Sequence, residues 1–219
     1  MTKQNTSSVE QKDFLVSFLS GIIDFCKKNK KGVLTALVIL VLAAAIGGGY
    51  AAHVKKVTQN SWAAYYSAQV ALLSGQEQEG FALVDQLAKD YPGSDASQYA
   101  LLMKADLLYS TENYAQAADV YKELLVSNNP TVSAVAALSL AAAQQAVKDY
   151  KSAAEGMTRF ISNNPKHFAL PQAYLTLAMS QELAGNKTEA LNAYQHLADA
   201  YAQTYFGELA KQKLAELQK

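Results

Sequence analysis

The sequence predicts an all-α protein. A single N-terminal transmembrane helix is followed by an α-solenoid of about four helical hairpins and a C-terminal capping helix. Three observations lead to this class. An uncharged apolar run occupies residues 32–54, and a helical pattern recurs at intervals of 36 or 37 residues after it. The composition also favours helix, because the chain is rich in Ala and contains only 4 Pro.

The apolar run has the length and the flanking charges of a membrane anchor. Its 23 residues carry no formal charge, and about 20 helical residues span the roughly 30 Å hydrocarbon core of a bilayer. Residues 27–31 contain four lysines, whereas only Lys55 and Lys56 follow the run. The positive-inside rule therefore predicts a cytoplasmic N-terminus and a body on the other side of the membrane.

A cleaved signal peptide is the alternative to an anchor. Small residues at 43–45, and at 49 and 51, are compatible with a cleavage site. The lead-in of about 30 residues is long for the basic region of a signal peptide, which favours an uncleaved anchor. We therefore predict a cytoplasmic head over residues 1–31, a transmembrane helix over 32–54, a linker over 55–61 and a helical repeat domain over 62–219.

The head contains apolar residues at helical spacing, namely Phe14, Leu15, Phe18, Leu19, Ile22 and Ile23. This stripe predicts either an amphipathic helix in the cytoplasmic interface or a short helix that extends the anchor. The only cysteine, Cys26, precedes the apolar run, so no intramolecular disulfide can form. A cysteine-free body fits an oxidising compartment.

Charge argues against nucleic acid as a partner. Residues 1–56 contain 8 Lys and 3 acidic residues, whereas residues 57–219 contain 11 Lys or Arg and 16 acidic residues. A nucleic-acid-binding domain would carry a basic patch on its folded part. The folded part of this chain is acidic instead.

Four stretches of the body align with one another. Each has a first helix, a short polar break and a second helix. The second helices share a small residue at one position: Gly80, Ala117, Ala153 and Ala190. Seven residues later each has a large apolar residue: Leu87, Leu124, Phe160 and Leu197. The first helices share Ala68, Ala105, Ala141 and Ala178. Small residues are needed where the two helices of a hairpin cross closely.

Prolines and asparagine pairs lie between the repeats. Pro92, Pro130 and Pro165 follow the second helices, and proline disfavours helix immediately before it. Asparagine pairs at 128–129 and 163–164 predict turns and helix caps. The tail from 206 to 217 predicts a capping helix, with leucines facing the last repeat and Lys211, Lys213 and Lys219 in solvent.

Over residues 62–201 the chain resembles the tetratricopeptide repeat family. The resemblance rests on Ala105, Tyr114, Ala117, Tyr121 and Leu124 in the second repeat, on Ala141, Tyr150, Ala153 and Phe160 in the third, and on Leu177, Ala178, Ala190, Tyr194 and Leu197 in the fourth. The first repeat departs from the pattern at Gly80, and the period exceeds the usual 34 residues of the family. The resemblance implies a tetratricopeptide-like α-solenoid whose first helices line a concave face.

That register implies a partner-binding surface. Its predicted residues are Trp62, Tyr65, Tyr99, Leu102, Asp106, Tyr109, Leu138, Gln145, Gln172, Leu175 and Met179. Tyr and Trp are favoured at interfaces because a rigid apolar ring carries a polar tip. Aromatic residues at helical spacing are also typical of a core, so burial decides between the two interpretations. The predicted groove contains almost no Lys or Arg, unlike family members that clamp a C-terminal carboxylate.

No pattern in the sequence predicts catalysis, a cofactor or a metal site. The three histidines, His53, His167 and His196, are far apart, whereas metal sites favour paired ligands at short spacing. Motifs for a nucleophile elbow, a phosphate-binding loop or a zinc protease are absent from the sequence. The sequence therefore predicts a non-catalytic interaction protein.

The layout of head, anchor and small repeat domain is similar to the YfgM-like family of bacterial inner-membrane proteins. The resemblance implies a single-pass protein with a periplasmic repeat domain and protein partners: translocon subunits, a membrane-bound periplasmic chaperone or exported clients. Two segments, 90–109 and 160–178, also resemble periplasmic repeat proteins of envelope assembly and cell division. That role, including a scaffold that stacks head to tail, is the alternative.

Overall fold

The structure is a computed structural model that describes residues 16, 20, 25 and 27–218. The predicted apolar stripe of the head, Cys26 and Lys219 lie outside the described residues. Contacts divide the chain into two compact units, Met1–Lys56 and Val57–Lys219.

The described residues form α-helices and no strand, which confirms the predicted fold class. In chain order the helices are α1 (Lys30–Leu73), α2 (Glu77–Asp90), α3 (Asp95–Ser110), α4 (Tyr114–Glu123), α5 (Pro130–Ala146), α6 (Tyr150–Asn163), α7 (Leu170–Leu183), α8 (Lys187–Ala200) and α9 (Tyr205–Leu217). A short 3₁₀ helix, Leu124–Val126, follows α4.

Helix α1 is 44 residues long and contains the predicted apolar run. Its length and composition are sufficient for it to cross a membrane. Every residue from 34 to 56 is exposed in the structure, including Leu37, Ile39 and Leu42, each more than half exposed. The predicted linker, residues 55–61, is helical and forms part of α1.

Small residues make the crossings of the four hairpins, as the sequence predicts. In the first helices Ala68, Ala105, Ala141 and Ala178 are at most 1% exposed. In the second helices Gly80, Ala117, Ala153 and Ala190 are buried. The large residues seven positions later are also buried: Leu87, Leu124, Phe160 and Leu197. Neighbouring helices can therefore approach closely while bulkier side chains fill the spaces beside each crossing.

Gly80 departs from the alanine of the other repeats for a steric reason. A Cβ atom at this position would collide with the Leu72 side chain and lie 3.1 Å from the Leu72 backbone nitrogen. In the first repeat a methyl group at this position would have to displace the Leu72 side chain.

The hairpin turns repeat in backbone conformation although their sequences differ. Each contains one residue with positive φ: Gly75 (77°), Glu112 (64°), Lys148 (64°) and Gly185 (80°). Their spacings of 37, 36 and 37 residues follow from these positions and match the repeat. Two turns thus hold a non-glycine residue in the left-handed region, at a cost of about 1–2 kcal/mol each.

Asn129 forms the predicted helix cap between the second and third repeats. The Asn129 side chain caps α5 by accepting from the backbone N–H groups of Thr131 (3.0 Å) and Val132 (3.3 Å). Pro130 occupies the first position of α5, where a missing N–H has no cost.

The capping helix is present as α9, and its contacts correct one prediction. Leu214 is buried and Leu209 and Leu217 are partly buried, as predicted. Lys213 was predicted to lie in solvent, but only 33% of its side chain is exposed. Its ammonium lies 3.5 Å from a Glu182 oxygen and 3.4 Å from a Glu216 oxygen. Glu182 therefore holds this lysine against α7, and Glu216 adds a second carboxylate from α9 itself.

Candidate functional site: the concave face of the repeats

The first helices of the repeats lie closer together than the second helices. Helix α3 contacts α5, α5 contacts α7, and α7 contacts α9, whereas α2, α4, α6 and α8 make no contact with one another within the described residues. A side-chain bridge joins two first helices, because the Gln145 amide donates to the Thr176 carbonyl (3.2 Å) and to the Ser180 hydroxyl (2.8 Å). The side on which the first helices meet is therefore the concave face.

The predicted surface residues differ in exposure. Asp106, Gln172 and Met179 are exposed. Seven others are partly buried: Trp62, Tyr65, Tyr99, Leu102, Tyr109, Leu138 and Gln145. Leu175 is only 7% exposed and belongs to the core that α8 and α9 complete. A contact surface on this face therefore excludes Leu175.

Four aromatic residues form a cluster, here called the aromatic cluster, in the first repeat and its neighbour: Trp62, Tyr65, Tyr66 and Tyr99. The Trp62 ring lies 5.3 Å from Tyr65, 6.3 Å from Tyr66 and 6.1 Å from Tyr99, measured between ring centroids. Tyr99 also packs against buried residues of the second repeat. Tyr66 is 58% exposed and is the most accessible ring of the cluster.

The second repeat contains a buried tyrosine that is paired with a carboxylate of the concave face. The Tyr121 hydroxyl, from α4, donates to Asp106 Oδ1, from α3, at 2.6 Å. Tyr121 is 2% exposed, whereas Asp106 is exposed. A cavity of about 230 Å³ opens at this pair and is lined by Asp106, Tyr109, Tyr121, Ser139 and Ala142.

The fourth repeat contains a matching pair. The Tyr194 hydroxyl, from α8, donates to Glu182 Oε2, from α7, at 2.6 Å. Tyr194 is fully buried. It lies four residues after Ala190, and Tyr121 lies four residues after Ala117, so the two tyrosines are equivalent. Val84 and Met157 occupy the same position in the other two repeats and are also buried.

Burial raises the pKa of both hydroxyls well above the ordinary tyrosine value, and the hydrogen bonds to Asp106 and Glu182 raise it further. Both causes disfavour the phenolate. The pKa of Lys213 is also raised, chiefly because of the charge of Glu182.

These shifts predict a loss of stability at alkaline pH. Unfolded tyrosines release their protons near pH 10, whereas Tyr121 and Tyr194 keep theirs in the folded state. Deprotonation therefore favours the unfolded chain, and the stability that is present below about pH 10 falls as pH rises further. We expect a total fall of about 1.4 kcal/mol for each tyrosine between about pH 9 and 11, measured by urea unfolding, with most of the loss above pH 10.

Replacement of both tyrosines by phenylalanine should reduce the fall in the free energy of unfolding at alkaline pH. Tyr205→Phe is the matched control, because it removes a hydroxyl from a tyrosine that is 74% exposed. If the free energy of unfolding fell equally with pH in the wild type and the double variant, the hydroxyl protons of Tyr121 and Tyr194 would not cause the loss of stability.

Sequence reasoning missed the two tyrosine–carboxylate pairs and a polar network between turns. In that network the Gln98 amide donates to the Gly93 carbonyl (2.8 Å) and to Asn128 Oδ1, and the Ser127 hydroxyl donates to Gln98 Oε1. The recurrence of Tyr121 and Tyr194 at one repeat position was the available signal for the pairs. The available signal for the network was Gln98, a long polar residue in the first turn of the otherwise largely apolar helix α3.

A second cavity, of about 280 Å³, lies between α5 and α6 and includes Arg159 and His167 among its lining residues. None of the predicted concave-face residues lines it. His167 stacks on Phe168, and its Nδ1 accepts from the Ala169 N–H at 3.2 Å. Within the described residues, no group of three or more His, Cys, Asp or Glu is placed to hold a metal ion.

Comparisons with known proteins agree with this architecture. Solved structures with a similar fold include a Podosopora anserina protein described as a kinesin light chain with nearly identical TPR-like repeats. It is 15% identical, with a TM-score of 0.56 over 73% of this chain and 86% of that one. MamA from Desulfovibrio magneticus RS-1 is 15% identical, with a TM-score of 0.50 over 72% and 93% of the two chains.

A tetratricopeptide repeat protein from Parabacteroides merdae is 16% identical, with a TM-score of 0.55 over 73% of this chain and 59% of that one. At such identities the likeness shows the fold alone. No curated protein matches the chain.

The model of the tetratricopeptide repeat-like domain family matches residues 24–218. Domains of this class generally mediate protein–protein interactions and are typically non-catalytic. With this match over most of its length and four helical hairpins of the corresponding architecture, the chain belongs to the tetratricopeptide repeat-like domain family.

Proposed function

We propose that this protein is a single-pass, membrane-anchored interaction module without catalytic activity. In this proposal residues 32–54 span the inner membrane of a bacterium, residues 1–31 lie in the cytoplasm, and the repeat domain over 62–219 lies in the periplasm. There it binds proteins of the export machinery, namely translocon subunits, a membrane-bound chaperone or exported clients. The layout shared with the YfgM-like family supports this choice of partners.

The observation that carries the proposal is the exposed apolar surface of α1. Leucine, isoleucine and valine side chains over residues 34–46 are more than half exposed. An apolar surface of this length is stable only when a membrane or another protein removes it from water. The four lysines in residues 27–31 and the absence of formal charge over 32–54 favour a bilayer.

The concave face supports a role in protein binding. It presents the aromatic cluster and exposed polar residues on a rigid series of packed helices. Rigid aromatic side chains contribute contact area at low entropic cost. The concave-face residues other than Leu175, together with Tyr66 of the aromatic cluster, are our proposed contact surface.

We expect Tyr66→Ala to weaken partner binding while leaving stability nearly unchanged. The ring is 58% exposed, so its removal leaves no large cavity, and the free energy of unfolding should change by less than about 0.5 kcal/mol. Truncation of a tyrosine at a binding hot spot costs more than about 1 kcal/mol of binding free energy. Affinity purification from detergent-solubilised membranes, followed by partner identification, measures the effect.

Tyr205→Ala is the matched control, because Tyr205 is an exposed tyrosine outside the first helices of the four repeats. Translocon subunits or periplasmic chaperones recovered with the wild type and the control, and depleted with Tyr66→Ala, would support the proposal. Recovery of only division or outer-membrane assembly proteins would favour the alternative, a scaffold of envelope assembly. That alternative rests on the similarity of segments 90–109 and 160–178 to such proteins.

A further inference from the structure

The cavity beside Tyr121 has the residues of a cation-binding pocket. A carboxylate, a tyrosine ring and a buried phenol converge on about 230 Å³, together with the small residues Ser139 and Ala142 of α5. Asp106 Oδ1 accepts from the Tyr121 hydroxyl. Within the described residues Asp106 makes no ion pair, and its second carboxylate oxygen has no hydrogen bond.

The fourth repeat shows which group complements such a pair. There the Glu182 oxygen that does not bind Tyr194 lies 3.5 Å from the ammonium of Lys213. Lys213 belongs to α9, the helix that follows the second helix of that repeat. The chain therefore covers the tyrosine–carboxylate pair of the fourth repeat with a lysine of its own.

In the second repeat the following helix does not supply a cation. Helix α5, which follows the second helix of this repeat, contains no Lys, Arg or His, and its Leu140 is a buried core residue. Beside it, α5 lines the cavity with Ser139 and Ala142, which are too small to fill it. The Tyr121–Asp106 pair on the concave face therefore has no lysine beside it like the one that covers the Tyr194–Glu182 pair.

We propose that this cavity binds the side chain of a lysine or arginine from a partner protein. The inference rests on the proposed function, since it assigns partner chemistry to the same concave face. Asp106 provides the opposite charge, and the Tyr109 ring provides a face on which a cation is favourable. The body as a whole has 16 acidic against 11 basic residues over 57–219, which attracts basic segments and repels acidic ones.

A library of random linear peptides displayed on phage tests the proposal. The full chain in detergent micelles is the bait. Peptides selected by the wild type should be enriched in Lys and Arg over the unselected library. Asp106→Asn should weaken binding of a selected basic peptide about ten-fold, because a charge-assisted hydrogen bond is lost. Asparagine can still accept from Tyr121, so the fold is retained.

Two further variants separate the pocket from general electrostatics and from misfolding. Asp119→Asn removes another exposed carboxylate, from α4 and away from the cavity lining, and should change affinity less than two-fold. Ala142→Leu fills the cavity without a change of charge and should also weaken binding at least ten-fold. A peptide in which the selected lysine is replaced by methionine should bind the wild type and Asp106→Asn with the same affinity.

The outcomes distinguish this inference from the proposed function. Selected peptides without enrichment in Lys and Arg, or equal affinity of the wild type and Asp106→Asn for a basic peptide, would contradict cation binding in this cavity. Neither result would contradict the proposed role in protein binding. A library from which no peptide binds the chain above the empty-micelle background would contradict both.

Discussion

Gly207→Ala should lower the free energy of unfolding by about 2 kcal/mol or more. A Cβ atom at this position would collide with the Tyr201 carbonyl oxygen and lie 2.7 Å from the carbonyl carbon and 2.9 Å from the Ala202 Cα. These are backbone atoms, so a change of rotamer cannot relieve the collision. The first turn of α9 would have to move, together with the cap in which the Thr204 hydroxyl oxygen accepts from the Gly207 N–H.

Displacement of α9 would also uncover part of the last repeat. Ala210 and Leu214 of α9 are buried in the core that includes Tyr194 and Leu197, and terminal repeats require such a cap. Thermal and urea unfolding, followed by circular dichroism, measure the loss.

Gly156→Ala is the matched control. Gly156 lies inside α6, and nothing lies within 4 Å of a Cβ atom built there. Alanine is favoured over glycine in a helix by about 0.5–1 kcal/mol, so this variant should be more stable than the wild type. Equal stability of Gly207→Ala and the wild type would show that α9 is not held by this close approach.

Ala153→Leu should destabilise the third hairpin by about 1–3 kcal/mol. Ala153 is fully buried in a core formed with Ala134, Ala141, Met157, Phe160 and Ala173. Three additional carbon atoms have no space at this crossing, so α5 and α6 would have to separate. The free energy of urea unfolding tests the expectation.

The control for this substitution is Ala115→Leu, at an exposed position in the first turns of α4. A change of at most about 0.5 kcal/mol is expected there. If both leucines were tolerated equally, the small residues would not define the helix crossings, and the packing account of the repeats would be wrong.

The repeat pattern was sufficient to predict the hairpins because close helix crossings require small residues at fixed intervals. The predicted breaks at 110–113, 147–149 and 184–186 coincide with the observed turns to within a residue. Helices α2 and α6 end two residues before Pro92 and Pro165, where the backbone restriction of proline predicts it. Helix α4 instead ends at Glu123 and is followed by the 3₁₀ helix, so Pro130 does not stop it as predicted but begins α5.

Contacts between repeats were harder to predict, because they depend on how the hairpins stack. Leu175 occupies the same repeat position as Tyr65, Leu102 and Leu138, which are only partly buried. It is buried because α9 packs against the fourth repeat. The contacts of Lys213 arise from the same packing. The Tyr121–Asp106 pair similarly joins residues 15 apart, whose approach follows from three-dimensional packing rather than from the helical period.

Site-specific photo-crosslinking in intact cells tests the central claim most directly. A photoreactive residue is placed in the full chain at Gln172, which is exposed on a first helix, or at Asp119, which is exposed on a second helix. The account predicts that other proteins are crosslinked in the membrane fraction from position 172 and far less from position 119. Equal yields from the two positions, or crosslinks from position 119 alone, would contradict binding by the concave face.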